Sequence, residues 1–147
     1  MSDIYAQLSK DHNKVKDLLD KIQSTSDGSE GTRQKLFSEL KQELEVHTTF
    51  EEKVFYPQAR EKTGMDEAIE DALEEHDEAK QLLEALADMD PTSGEWMETI
   101  QELSEALGHH IKDEEQELFP AARKKVDSTE ADKMGREYME MKKKALS

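Results

Sequence analysis

The chain has 147 residues, of which 38% are charged and 34% hydrophobic, with 3 Pro, 6 Gly, no Cys and a formal net charge of −16. That length fits a single domain over residues 1–147, and few helix breakers with a modest apolar share suit amphipathic helices better than strands. The acidic excess repels nucleic acid and anionic lipid, the lack of cysteine excludes disulfides, thiolate nucleophiles and sulfur-held metals, and no stretch approaches the roughly 20 apolar residues of a membrane span.

The N-terminal MSDIYAQLSKDHNK has neither the basic start nor the apolar run of a secretory signal, so a cytoplasmic protein is expected. Tyr5, Leu8, Val15, Leu18, Leu19 and Ile22 recur every three or four residues and predict a helix over about 3–24, ended by the polar STSDGSEG. A second helix from about Thr32 carries Leu36, Leu40, Leu44, Phe50 and Val54, and Pro57 is expected to kink or end it because proline has no amide hydrogen. EKTGMD reads as a turn. A third helix from about Asp66 shows Ala68, Ile69, Ala72, Leu73, Ala79, Leu83 and Leu86 on one face. In DMDPTSGE, Thr92 and Glu95 have capping-box spacing ahead of a fourth helix with Trp96, Ile100, Leu103, Leu107, Ile111 and Leu118. From about Thr129, the residues Met134, Tyr138, Met139 and Met141 predict a short fifth helix laid on the outside.

The two halves repeat each other. HTTFEEKVFYPQAR from His47 aligns without gaps to HIKDEEQELFPAAR from His110, and HNKVKDLL from His12 aligns to HDEAKQLL from His76. The fold class that follows is all-α, an up-down-up-down four-helix bundle with an internal two-fold repeat and a short C-terminal fifth helix.

His47 with Glu51 and His110 with Glu114 are spaced i, i+4, so each pair shares a helix face. That face is the apolar one: Leu40, Leu44, His47, Glu51 and Val54 make one stripe, and Leu103, Leu107, His110, Glu114 and Leu118 another. His12 lies between Leu8 and Val15, and His76 between Ala72 and Ala79. Four inward histidines and two inward glutamates, with no inward arginine to neutralise them, call for a cation, because a buried carboxylate costs several kcal/mol unless paired or metal-bound. Nitrogen and oxygen ligands in a helical bundle suit two metal ions, with iron preferred and zinc or manganese open. Several neighbours admit two readings. His109 is a rim residue, or a ligand in a shifted register with Glu114. Glu52, Asp113 and Glu115 are solvated, or they support the imidazoles from behind. Lys16 and Lys80 are surface lysines, or they guard the pocket mouth. Tyr56, ahead of Pro57, is a packing aromatic, or its phenol turns toward the metals.

The pattern His12, His47-x-x-x-Glu51, His76, His110-x-x-x-Glu114, with FYP and LFP after the glutamate turns, resembles the hemerythrin/HHE cation-binding domain over essentially the whole chain, in its bacterial four-histidine, two-glutamate branch. The resemblance implies two iron ions, oxo- or hydroxo-bridged, with both glutamates bridging. It implies reaction with a small oxidant such as hydrogen peroxide, oxygen or nitric oxide, catalase-like turnover being the reaction to test first. The alternative is a non-enzymatic iron- or oxygen-sensing or iron-holding module. Lys80 stands where oxygen-carrying hemerythrins have a second helix-three histidine, which points away from reversible oxygen carriage. Ferritin-type Glu-x-x-His is absent, the residues three before the histidines being Ser9, Leu44, Leu73 and Leu107. The chain shows neither the cysteine-bearing N-terminal part of related iron-repair proteins nor an attached signalling domain, which favours self-contained chemistry or storage. The partners expected are a small oxidant, no nucleic acid and no membrane, for a monomer or weak homodimer.

Overall fold

The computed structural model describes residues 3–26 and 28–146. Helix α1 (Ile4–Gln23) starts at Asp3, whose side chain accepts a hydrogen bond from the Ala6 amide and so satisfies one of the free donors of the first turn. Helix α2 (Glu30–Phe50) passes through a π-helical turn (Glu51–Phe55) into α3 (Tyr56–Thr63). The left-handed Gly64, with φ at 68°, ends α3. Helix α4 (Asp66–Ala87) returns, and α5 (Gly94–Asp113) passes through a second π turn (Glu114–Leu118) into α6 (Phe119–Lys125). Helix α7 (Ser128–Leu146) closes the chain. The architecture is the all-α bundle with its two-fold repeat, made of α1, α2–α3, α4 and α5–α6.

Two local expectations are corrected, and of the two outcomes expected at Pro57 one is excluded. The second helix does not end at Pro57, because the π turn absorbs the proline: the Tyr56 amide bonds back to the Glu51 carbonyl, five residues away. Proline then enters at the start of α3, where its missing hydrogen costs little. The cap of α5 is Ser93, whose hydroxyl accepts from the Trp96 amide at 3.1 Å, while Thr92 is turned back onto Asp90 through both its amide and its hydroxyl. The fifth helix is not short; at 19 residues α7 is nearly as long as α1, and it packs on α1 and α2 with Ala131, Met134, Gly135 and Tyr138 buried.

Two apolar clusters fill the interior, and the gap between them positions the site. One gathers Ile4, Tyr5, Leu8, Phe50, Phe55, Ile69, Phe119 and Tyr138. The other gathers Val15, Leu19, Leu40, Leu44, Leu83, Trp96, Ile100 and Leu103. Each fully buried aliphatic side chain contributes about 1.5–3 kcal/mol, so these clusters carry the fold on both sides of the polar layer. His12, His47, His76 and His110 all fall where their helices pass from one cluster to the other. Arg33 is buried after all, but at the loop end: it lies over the Trp96 ring and donates to Thr25 and to the Pro91 carbonyl, tying the two interhelical loops together.

Candidate metal centre

The six sequence-predicted residues converge. His12, His47, Glu51, His76, His110 and Glu114 are all buried, and their donor atoms fall into two groups within which all atoms lie less than 4.8 Å apart. One group is His12, His47, Glu51 and Glu114; the other is Glu51, His76 and His110, and Glu114 lies 3.5 Å from His110. Each glutamate meets one histidine of its own helix and one from across the bundle. Glu51 Oε1 is 3.1 Å from both His47 Nε2 and His76 Nε2, and Glu114 Oε1 is 3.1 Å from His12 Nε2.

All four rings are held from behind by a carboxylate. His12 Nδ1 donates to Glu115 at 2.6 Å, His47 Nδ1 to Asp11 at 3.0 Å, His76 Nδ1 to Glu52 at 2.9 Å and His110 Nδ1 to Glu75 at 2.7 Å. A proton fixed on Nδ1 leaves the Nε2 lone pair facing inward, the tautomer a metal ligand requires. The supports obey the repeat: Asp11 and Glu75 precede the α1 and α4 histidines, while Glu52 and Glu115 follow the two central glutamates. Glu52 and Glu115 thus take the second of their two readings, whereas Asp113 faces His109. Asp11 and Glu75 were missed, although an acid before each of the two repeat histidines was the available signal. Asp11 is bound further by Tyr138 and by Lys142 Nζ, both on α7.

The residues fit a bound cation. The Nε2 atoms of His12 and His47, Glu51 Oε2 and Glu114 Oε1 are buried with no hydrogen-bond partner, an arrangement costly for a pocket that holds only protein. The charges show the same need. Burial opposes protonation of His110, yet Glu114 and Glu75 push its pKa up to about 9; burial likewise opposes His47, and Glu51 and Asp11 raise it well above the usual histidine value. Glu114 is raised by burial and by the Glu51 charge, whereas His47 holds Glu51 low against burial. Protons thus take the place of positive charge that the ligand set would otherwise draw from metal.

Tyr56 breaks the symmetry. Its hydroxyl donates to Glu114 Oε2 at 2.5 Å and lies 3.2 Å from His76 Nε2 and 3.3 Å from Glu51 Oε1. Burial first, and then the Glu114 and Glu51 carboxylates, keep the phenol protonated. Five residues after Glu51 in a regular α-helix, Tyr56 would face about 140° away; the wider π turn brings it round. Its repeat counterpart Phe119 instead stacks on His12, with 5.9 Å between ring centres. Lys80, one turn beyond His76, is half-exposed and ion-paired with Glu52 at 3.3 Å, so it supports the support of His76 and stays outside the pocket. His109 is 68% exposed, and Lys16 is exposed too.

A family model described as the hemerythrin HHE cation binding domain matches residues 3–122. A DNA nickase of Nostoc sp. is 30% identical over 134 residues, 91% of this chain and 37% of that protein. An uncharacterised hemerythrin-like protein of Schizosaccharomyces pombe is 29% identical over 145 residues, 97% of this chain and 70% of that one. The chain therefore spans little more than a third of the first relative. The crystal structure of a hemerythrin HHE cation binding domain-containing protein from Mycobacterium kansasii superposes with a TM-score of 0.86 at 25% identity, covering 99% of this chain and 89% of that one.

Proposed function

Because the chain belongs to the hemerythrin HHE cation-binding family, we propose that its buried histidines and glutamates hold two iron ions and that the resulting centre reacts with small oxidants, hydrogen peroxide first among them. The observation that carries this reading is the set of four Nε2 atoms, each fixed by a carboxylate behind its ring, aimed at two buried glutamates with unpartnered oxygens. His12 and His47 would hold one ion, His76 and His110 the other, with Glu51 and Glu114 shared between them. Iron held by these residues would supply one-electron redox chemistry toward a small oxidant.

The chain's own residues arrange the rest. The supporting carboxylates keep the imidazoles oriented whatever charge the pocket carries. The apolar clusters on either side keep the pocket dry, which strengthens each electrostatic contact inside it. Tyr56 brings a hydroxyl proton to the point between His76, Glu51 and Glu114, where it can stay on the phenol oxygen or pass to Glu114 Oε2. A cytoplasmic setting, one domain over residues 1–147 and a monomer or weak homodimer belong to the same proposal and rest on the sequence; among the described residues no helix is long and apolar enough to cross a membrane.

Metal analysis of freshly purified protein, joined to an oxygen-electrode assay with hydrogen peroxide, tests the proposal. About two irons per chain and oxygen release over many turnovers are expected. Two irons with less than one turnover per site would turn the reading toward iron holding or sensing, and protein without iron would remove it.

A further inference from the structure

The internal repeat supplies matched positions in the two halves, and comparing them shows one difference in how the centre is covered. In the first half, the positions to compare are Gln7 and Asp11 on α1 and Val46, Phe50 and Val54 along α2 and its π turn. Helix α7 packs over this side of the bundle. Tyr138 packs on the Phe50 ring at 4.7 Å and donates to Asp11, Lys142 Nζ lies 2.5 Å from Asp11 Oδ1, and Gln7 donates to the Gly135 carbonyl at 2.9 Å.

The matched positions in the second half are Asp71, Glu75, His109, Asp113 and Glu117. Val46, Phe50 and Val54 thus correspond to a histidine and two acids. Here a cavity of about 70 Å³ opens between α4 and α5, bordered by Asp71, Glu75, Asp113 and Glu117 and reaching His110 and Glu114. Glu114, 1% exposed, lines this cavity and links it to the centre, its Oε1 lying 3.1 Å from His12 Nε2 and 3.5 Å from His110 Nε2. Beside two of the lining acids, His109 Nε2 lies 3.1 Å from Asp113 Oδ2 and 3.6 Å from Glu75 Oε2, a third set of candidate donor atoms within 4.8 Å of one another. Glu75 faces both ways, since its other oxygen holds His110 Nδ1. The covered half shows what charge such a groove takes, for there the Lys142 ammonium rests on Asp11, the counterpart of Glu75.

We propose that this acidic groove is the route by which a divalent cation reaches the buried centre, and that His109, Asp113 and Glu75 hold the cation at its mouth before it passes to His110 and Glu114. The inference rests on the metal-centre reading above. Acids converging on a narrow opening raise the local concentration of cations and speed their capture. The donor set at the mouth, one imidazole and two carboxylates, lets an incoming ion exchange water for protein ligands in steps. Helix α7 closes the corresponding route in the other half, so loading runs through one side of a symmetric frame.

The test is stopped-flow uptake of cobalt(II) by the metal-free full chain, followed through cobalt's visible absorption. The double variant His109→Ala/Asp113→Asn changes two solvent-facing side chains and leaves Glu75 on His110. It should load roughly 10-fold more slowly at low salt, with the same final cobalt content and spectrum. Glu102→Gln/Glu105→Gln, which removes charge elsewhere on α5, should load within about twofold of wild type. Equal slowing in both double variants would assign the effect to overall charge and overturn the route. An unchanged rate with full occupancy overturns it too and leaves the centre standing, as does reduced final occupancy, which would make His109 or Asp113 part of the centre itself. Wild-type protein that never acquires cobalt in a histidine environment removes the centre and the route together.

Discussion

Asp11 holds the ring of His47, not that of its neighbour His12: its Oδ2 accepts from His47 Nδ1 at 3.0 Å across the α1–α2 interface, while His12 turns to Glu115. Each pocket histidine is therefore supported from a different helix, and the pocket is cross-braced through the protein. Removing a single supporting charge, by Asp11→Asn or Glu115→Gln, should weaken metal binding about 10–100-fold in competition with a chromophoric chelator. Asp11→Asn should also lower the thermal midpoint, because it loosens Tyr138 and Lys142 of α7. Native affinity in Glu115→Gln would count against the supporting role.

His47→Ala and His110→Ala each delete an inward Nε2 and should leave the purified protein well below two metals per chain. His109→Ala should reach the native metal content once given time. Full retention of both metals in the first two variants would sink the ligand assignment.

Tyr56→Phe copies the residue that stands at the repeat-related position, Phe119, and so changes chemistry more than volume. We expect metal content near native, an altered visible spectrum and peroxide turnover at least about 100-fold lower, the size of loss typical when a positioned proton donor is removed. Unchanged turnover would reduce the phenol to packing.

Chelation should destabilise the fold, since it returns four imidazoles and two carboxylates to a dry interior without a cation. A loss of about 3 kcal/mol would lower the midpoint by roughly 6–12 °C for a chain of this size. An unchanged midpoint in verified metal-free protein would place the metals outside the core.

The pH dependence follows from His110. In the metal-free protein its pKa is raised from 6.5 to about 9, so the folded state binds this proton more tightly than the unfolded one. That contribution, on the order of 3 kcal/mol, is complete below pH 6.5 and is lost as pH rises through about 9. A metal ion displaces the same proton. Loading at pH 7 should therefore release protons into a weakly buffered solution, metal affinity should climb over this window, and metal-free protein should unfold at lower urea at pH 9.5 than at pH 6.5. Uptake without proton release would contradict the charges assigned to the pocket.

The bundle and the six converging residues were legible in the sequence because both are periodic: apolar spacing sets the helix faces, and the duplicated histidine–glutamate pattern sets what lies on them. What escaped was set by departures from the regular helix or by contacts across it. Tyr56 reaches the pocket only because a π turn intervenes, and a 3.6-residue period cannot show an extra residue absorbed within a helix. Asp11 and Glu75 act on histidines 36 and 35 positions away, so local patterning reveals their charge and not their partner. The reach of α7 was underestimated because its buried side is narrow, carried by Ala131, Met134, Gly135 and Tyr138 among exposed charges.

The two π turns tie the length of each pentapeptide to the type of helix it forms. Each holds one residue more than an α-helical path would use, and both occur between a pocket glutamate and the aromatic residue before a proline. Deleting the exposed Lys53 would remove no core side chain, and α-helical geometry in its place would set Tyr56 four residues after Glu51, about 40° round the axis and so still facing the pocket. Exposed positions inside these segments should thus accept many exchanges of side chain and also the loss of a single residue, so that a one-residue gap in an aligned relative at either pentapeptide would mark a regular α-helix there.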